Sequence, residues 1–434
     1  MQGADHPLVL GLSGGGDSMA LLEIAAGWAH DHGRRVLAVT VDHGLNPASP
    51  DWSRLCAAAC ATLGVDWIEA RWDGDKPAAG LTAAARTARH RLIAGAARAA
   101  GAKVVLLAHT VDDIAESDWM RAHGSTLGRL RDWSPSPVWP EGRGLMLFRP
   151  LLAERREGLR EFLRTRGRGW IEDPANADVR FGRSRARYAL LETSGRVDPV
   201  VPQPDISNGD APIALPLGDG FQIDRRAGPD LLAATLLSAA GGAIPPRRDR
   251  LLRLSERLRA GEDFSATLAG ARVETAGQRV VIGREPGEFR RRPPGNLVLH
   301  PGEAVVWDGR YEIVIDEPGW RVGAAAGRLN RLPDADRAVA ATVPAWARGA
   351  LPVLIRDAGV GPVLAWRKAE VRALAPRRLE LFRGTVSGET TQEADLFRTI
   401  HGETPPADLF SHKDHHRGLG WSPCRRTENK DEPA

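Results

Sequence analysis

The sequence predicts an α/β protein whose N-terminal part is a doubly wound parallel sheet. Three observations predict it. First, an apolar run of strand length at residues 8–12 ends in Ser13-Gly14-Gly15-Gly16-Asp17-Ser18 and is followed at Met19 by an apolar, helix-forming stretch. Second, another apolar run, residues 36–41, follows that helix, and a helix between two such runs implies a parallel crossover. Third, a run at residues 103–108 ends in His109, with Asp112, Asp113 and Glu116 close behind. Open α/β sheets bind their ligands at such strand ends.

The glycine loop joins a strand to a helix N-terminus. Glycines let backbone N–H groups approach an anion closely, and the helix dipole adds partial positive charge at the same place. Ser13 and Ser18 add hydroxyl donors. Residues 13–18 are therefore the candidate phosphate site. No lysine follows at Walker A spacing, and Met19 stands where a dinucleotide fingerprint needs its third glycine. Asp17 would repel a phosphate unless it holds Mg²⁺ or caps the helix.

The remaining elements follow in order. A helix reaches about His32, and the strand at 36–41 ends in Asp42-His43-Gly44-Leu45. Asp42, at a strand end beside the loop, suits a ribose hydroxyl, an adenine amine or a metal. Residues 49–63 read as a helix with Trp52, Leu55, Cys56, Ala59 and Cys60 on one face. The two cysteines read as small buried hydrophobes. Residues 65–72 alternate like a strand. Residues 81–100 read as a helix carrying Arg86 and Arg89 on one face, either for phosphates or for solvent. Beyond the strand at 103–108, two of the carboxylates Asp112, Asp113 and Glu116 fall within one helical turn. They can coordinate Mg²⁺, for which Asp17 and Asp113 are the candidate ligands, or accept protons from an attacking amine. Residues 121–148 read as loops around short elements, with a fifth strand at 146–148. An amphipathic helix at 155–166 turns Leu159, Phe162 and Leu163 inward. A turn at 173–176 precedes a helix at 182–191 that exposes Arg183, Arg185 and Arg187.

Composition narrows the function classes. The chain has 434 residues, 42% of them apolar, room for two or three domains. It lacks a long apolar span and a basic-then-apolar start, and its three cysteines, Cys56, Cys60 and Cys424, make no disulfide framework. A cytoplasmic enzyme is the expectation. The net charge is only +4, but residues 149–187 hold eleven arginines against six carboxylates, the pattern of a polyanion-binding face or of a solvated helix surface.

The loop Ser13-Gly14-Gly15-Gly16-Asp17-Ser18 resembles that of the ATP pyrophosphatase, or PP-loop, superfamily. The ordered set of motifs resembles one family within it, the bacterial tRNA(Ile)-lysidine synthases. That set comprises Val41-Asp42-His43-Gly44-Leu45, the Ala-Arg repeat of 85–89, Ala108-His109-Thr110-Val111-Asp112-Asp113-Ile114-Ala115-Glu116, Arg149-Pro150-Leu151-Leu152 and Trp170-Ile171-Glu172-Asp173-Pro174-Ala175-Asn176. The resemblance implies an adenine-nucleotide α-hydrolase-like fold and use of ATP with Mg²⁺. It also implies transfer of free lysine to C2 of the wobble cytidine of a CAU-anticodon isoleucine tRNA, through an adenylated cytidine. It places Asp42, Arg86 or Arg89, His109, Asp113 and Glu116 around ATP, lysine and cytidine. It makes Arg89, Arg149, Arg155, Arg156, Arg183, Arg185 and Arg187 the tRNA-binding arginines. Thr110, Ile114 and Ser117 depart from the family's usual histidine, glutamine and threonine. The rivals are a tRNA 2-thiolation enzyme, a small-molecule synthetase of the same superfamily and a non-catalytic tRNA-binding protein. The oligomeric state, a homodimer among the options, is left open.

The catalytic domain is expected over 1–191 and an irregular linker over 192–220. A helical and β middle region, expected over 221–292, has helices at 230–240 and 246–259 and a meander at 264–284. A small α+β domain over 293–387, expected to grip the tRNA, has strands at 304–307, 311–315, 353–355 and 363–366. A disordered tail with His412, His415 and His416 is expected over 388–434.

Overall fold

A computed structural model of the chain describes residues 6–125, 130–174, 178, 182–192, 212–291, 295–356 and 361–383. The tail expected over 388–434 and most of the expected linker lie outside the described residues. The N-terminal unit runs β1 (Leu8–Gly11), α1 (Gly16–Asp31), β2 (Val36–Asp42), α2 (Ser49–Leu63), β3 (Asp66–Arg71), α3 (Leu81–Ala99), β4 (Val104–Leu106), α4 (Val111–Ala122), β5 (Trp133–Pro135) and β6 (Met146–Phe148). The strands form one sheet in the order β3-β2-β1-β4-β6-β5. All neighbours are parallel except the β5–β6 edge pair. The order reverses at β1 and β4, so the crevice at their C-terminal ends is the switch point where such sheets bind ligands.

Both faces of the sheet's centre are covered, which is why β1, β4 and β6 are apolar throughout, whereas the edge strand β3 alternates. Leu8, Leu10 and Leu106 pack under Leu21, Trp28, Cys56 and Cys60 on one side. Val9, Val39 and Val105 pack under Ile93 and Ala97 of α3 on the other. Two further helices close over the crevice. α5 (Arg156–Thr165) buries Leu159 and Leu163 against the α1 side, and α6 (Gly182–Glu192) lies along α4.

The middle region continues with β7 (Ile213–Ala214), β8 (Gly220–Ile223), α7 (Pro229–Ala240), α8 (Arg248–Arg259), β9 (Ser265–Leu268), β10 (Ala271–Ala276), β11 (Arg279–Arg284) and α9 (Gly287–Arg291). Its strands make an antiparallel sheet in the order β7-β8-β11-β10-β9. The last part has β12 (Leu297–Val298), β13 (Val305–Trp307), β14 (Tyr311–Val314), β15 (Arg321–Ala324), α10 (Asp334–Ala341), β16 (Pro352–Ile355), β17 (Val363–Leu364), β18 (Glu370–Ala373) and α11 (Ala375–Phe382). Two small antiparallel sheets result, β12-β15-β16-β17 and β13-β14-β18. α11, near the end of the described residues, then returns to the earlier parts. Ala375 and Leu379 of α11 join the core under α7, and Leu381 meets Met146 with Trp133 packed beside it.

The joints between these parts are specific. Trp139 Nε1 donates to Gly309 O at 2.7 Å, and Arg143 pairs with Glu312 at 2.6 Å, both mostly buried. Arg378 stacks 4.0 Å over Trp139 and donates to Leu237 O and Gly242 O. Both oxygens of Asp308 accept from Arg284 at 3.0 Å, and Arg310 adds a third bond at 2.7 Å.

Several expectations need correction. The first helix starts at Gly16, inside the loop, because Gly15 is extended and lets the turn begin there. Leu55 is exposed, and Ser53 takes its place beside Cys56 and Cys60. One of the short elements expected among the loops of 121–148 is β5, an edge strand closed by its pairing with β6. Residues 212–219, expected as linker, already belong to the middle sheet through β7. β15, unexpected in the sequence, is short and glycine-containing, and β16 supplies its partner from far along the chain.

Candidate active site

The phosphate loop is held in shape by its own serines and by a segment more than 150 residues away. Ser18 Oγ donates to Gly15 O at 2.9 Å, accepts from Ser13 N at 3.3 Å and lies 3.1 Å from Ser13 Oγ. Gly14 sits at φ +80°, and its carbonyl accepts from Ile171 N at 2.8 Å. A Cβ at Gly14 would come within 2.2 Å of the Ile171 side chain, so this position needs glycine twice over. The first turn of α1 has no side-chain cap, which leaves backbone donors at the positive end of a 16-residue helix.

Three carboxylates form the floor facing this loop. Asp17 comes from the first turn of α1, and Asp113 and Glu116 come from α4. Asp113 closes a capping box: its Oδ2 accepts from Thr110 N at 2.9 Å and from Thr110 Oγ1 at 3.1 Å. Its Oδ1 meets Arg183 at 3.3 Å. Glu116 is 2% exposed, and its Oε1 accepts from Arg156 at 3.0 Å and Arg187 at 2.9 Å. Arg156 spans all three acids, reaching Asp17 Oδ2 at 3.1 Å and Asp113 Oδ1 at 3.7 Å as well. Its backbone N–H is capped by Asp112 Oδ2 at 2.8 Å, which fixes the start of α5 on α4. Burial, opposed by Arg156, raises the Asp17 carboxyl above its ordinary value.

The wall beside the floor is cationic. Burial and then the neighbouring Arg149, Arg183, Arg89 and Arg86 hold His109 well below the usual imidazole range, so it is neutral. His109 Nδ1 accepts from Arg149 Nε at 3.2 Å, which puts the ring proton on Nε2. Arg149, 5% exposed, is locked by Arg131 O at 2.7 Å and Ser134 Oγ at 3.0 Å. Burial and then Arg183 lower Arg86, and burial, then Arg86 and Arg183, bring Arg89 to about 10. Among the described residues, neither Arg86 nor Arg89 has an ion-pair partner, and Arg89 Nε is buried without a hydrogen bond. Such a pair of unmatched cations attracts an anion. Asp42 stands apart from the floor. Its Oδ1 accepts from Gly44 N at 2.8 Å, and Arg71 lies 3.8 Å from its Oδ2.

The structure thus brings Asp17, Asp113, Glu116 and His109 together, with Arg86 and Arg89 beside them. It corrects the reading of the arginine-rich segment as an outer face. Arg149, Arg156, Arg183 and Arg187 turn inward onto His109 and the acids, and only Arg155 and Arg185 of that set are exposed. The role of Arg156 was missed. Its signal was present: three carboxylates expected at one phosphate site demand a cation from elsewhere. The Trp170-Ile171-Glu172 brace was missed in the same way. Trp170 donates to Glu172 at 2.7 Å, and Arg160 pairs with Glu172 at 3.0 Å.

Of the two expected Mg²⁺ ligands the structure suits Asp17 and replaces Asp113 with Glu116. Asp17 Oδ1 and Glu116 Oε2 are buried without a hydrogen-bond partner, whereas both oxygens of Asp113 are engaged. Two free carboxylate oxygens suit an ion that completes its shell with water and phosphate. Among the described residues no group of three metal-ligating side chains occurs, and no helix is long and apolar enough to cross a membrane. Cys56 and Cys60 are buried, and burial pushes the Cys60 thiol up to about 12.

Residues 2–194 match the family model of the PP-loop domain. A tRNA(Ile)-lysidine synthase of Caulobacter vibrioides is 43% identical over 393 residues, covering 88% of this chain and 95% of that protein. One from Hyphomonas neptunium is 34% identical, covering 76% and 92% respectively. One from Mesorhizobium japonicum is also 34% identical, covering 76% and 78%. Among solved structures, a U34-tRNA thiolase of Methanococcus maripaludis aligns with a TM-score of 0.37 and 16% identity, over 43% of this chain and 66% of that one.

Proposed function

The chain belongs to the tRNA(Ile)-lysidine synthase family, and from that membership we propose the reaction its site performs. Free lysine is joined to C2 of the wobble cytidine, position 34, of the CAU-anticodon isoleucine tRNA. ATP is converted to AMP and pyrophosphate. The observation that carries this reading is the crevice between β1 and β4. There a capless helix N-terminus faces a floor of three carboxylates and a wall of unmatched arginines.

In the first step the cytidine O2 attacks the α-phosphorus of ATP, and the α–β bridging oxygen leaves with pyrophosphate. The loop N–H groups and the α1 dipole hold the phosphates. Mg²⁺, for which Asp17 and Glu116 keep free oxygens, would offset the charge of the polyphosphate. In the second step the lysine ε-amine attacks C2, and AMP leaves with the oxygen. Asp113 and Glu116 attract the ammonium form and accept the protons lost before and after attack. His109, neutral and protonated at Nε2, offers a hydrogen bond without adding charge. Arg86 and Arg89 supply the cationic wall against which an RNA or nucleotide phosphate is held. An anticodon loop suits the crevice because its bases can splay out singly. The reaction belongs to the cytoplasm, where ATP, lysine and tRNA meet.

The thiolation reading loses ground on one observation: the buried Cys56 and Cys60 carry thiols raised by burial, which is the opposite of a sulfur-transferring thiolate. The test uses purified protein, Mg-ATP, radiolabelled lysine and an unmodified CAU isoleucine tRNA transcript. ATP-dependent label in the tRNA, absent from a wobble C-to-U transcript, is expected. Pyrophosphate release without lysine transfer would point to a different nucleophile. Tight tRNA binding with no pyrophosphate release would point to a binding protein.

A further inference from the structure

A guanidinium commonly grips one carboxylate with two parallel bonds. Arg156 does not. Its Nε, Nη1 and Nη2 each face a different acid, Asp17 at 3.1 Å, Glu116 at 3.0 Å and Asp113 at 3.7 Å. Spread this way, it leaves Asp17 Oδ1 and Glu116 Oε2 buried without partners. It occupies the place where a positively charged substrate must sit, and it does so from the side of the phosphate loop. Its backbone is pinned, since Asp112 caps its N–H, while its side chain alone spans the floor.

We infer that Arg156 is a placeholder cation that couples the two substrates: ATP phosphates at the loop draw its guanidinium off Glu116 and Asp113, and only then do those acids accept the lysine ammonium. This rests on the lysine-transfer reading given above. The physical reason is the ranking of its partners. A polyphosphate beside Asp17 offers several charged oxygens within the reach that Arg156 already has, so the side chain needs only a rotation, not a backbone move. While the loop is empty, lysine must displace a buried, three-point contact. When the loop is filled, that contact has already been exchanged. Arg183 and Arg187 also touch Asp113 and Glu116, but they come from α6 and are about a third exposed. Neither has a contact with Asp17 beside the loop, so of the three arginines Arg156 is the one that joins Asp17 to the α4 acids. Arg156 is thus a positioning residue, and coupling is reciprocal: lysine should tighten ATP by the same factor.

The test measures labelled lysine by equilibrium dialysis on the full chain with Mg²⁺, with and without α,β-methylene ATP. For the unmodified chain the analogue should tighten lysine by about tenfold or more, within the usual range of coupling between sites. In Arg156→Gln, lysine should already bind tightly without nucleotide, and the analogue should change its affinity by less than about twofold. Arg156→Lys, which keeps the charge but one contact at a time, should show intermediate coupling. The thermal unfolding midpoint of each variant, kept within a few degrees of the unmodified chain, reports an intact fold. Full coupling retained in Arg156→Gln, or no coupling in the unmodified chain, overturns the inference while leaving the lysine reading standing. Failure of the unmodified chain to bind lysine under both conditions overturns both.

Discussion

The floor and the wall of the crevice are built from the same two residue types and solve opposite problems. On the floor, Asp17, Asp113 and Glu116 are matched by Arg156, Arg183 and Arg187, each at a bonded or near-bonded distance. On the wall, Arg86 and Arg89 have no ion-pair partner among the described residues, and burial, with Arg183 near both, lowers both. The floor is therefore neutral as it stands and binds a cation only by exchange. The wall is charged as it stands and binds an anion by addition. A site with both properties takes a polyanion first and a cation second, which is the order that adenylation followed by amine attack requires.

Substitutions on the two sides should separate the two steps. The largest effect is expected for Glu116→Gln. Lysine transfer should fall by about 10³-fold, within the range for losing a positioned base, while pyrophosphate release stays within about tenfold. Equal losses in both steps would place Glu116 in adenylation and erase the contrast. Arg89→Ala should do the reverse. Pyrophosphate release in the presence of tRNA should fall by about 10²-fold, as when one preorganised cationic contact is removed. The partition of the adenylated intermediate toward lysine should not change. A smaller effect reports the wall through stability. His90, buried on α3 beside Arg89 and Arg86, is held down to about 3 by burial first and by those arginines next. The unfolded chain protonates this imidazole as the pH falls below about 6.5, and the folded chain does not. Stability from this group is present above that value and declines as the pH falls toward 3. At pH 5 the loss should be about 2 kcal/mol relative to neutral pH. Urea unfolding at the two values measures it, and His90→Gln should flatten the slope.

Much of the N-terminal fold was legible because strand, loop and helix signals there are local. The run at 36–41, the helix bounds 49–63 and the strand at 146–148 are in the structure nearly as read, because each is apolar enough to fix its own element. Asp17, His109, Asp113 and Glu116 were legible because each follows closely on a strand, in the loop or the opening turns of the next helix. What stayed hidden was direction. Arg156, Arg183 and Arg187 read as a surface because the acids they meet lie 40 to 139 residues away, and a local charge count cannot see a partner at that separation. The same blindness hid β15, whose partner β16 follows after a helix; β7, which pairs with the nearby β8, was hidden by its two-residue length. Short strands paired across long intervals leave no periodic trace.

The return of α11 has a consequence for how the molecule is made. Leu381 docks on Met146 of the catalytic sheet, and Leu379 completes the core under α7. Every local element of the first sheet has left the ribosome long before this helix is synthesised. At about 5–20 residues per second, more than ten seconds of translation separate residue 148 from residue 382. During that interval the face that will receive α11 is uncovered, and the nucleotide crevice can form before the rest of the protein is fastened to it. The last helix is a late clasp, and a chain stopped short of it would carry a finished loop on an unfinished body.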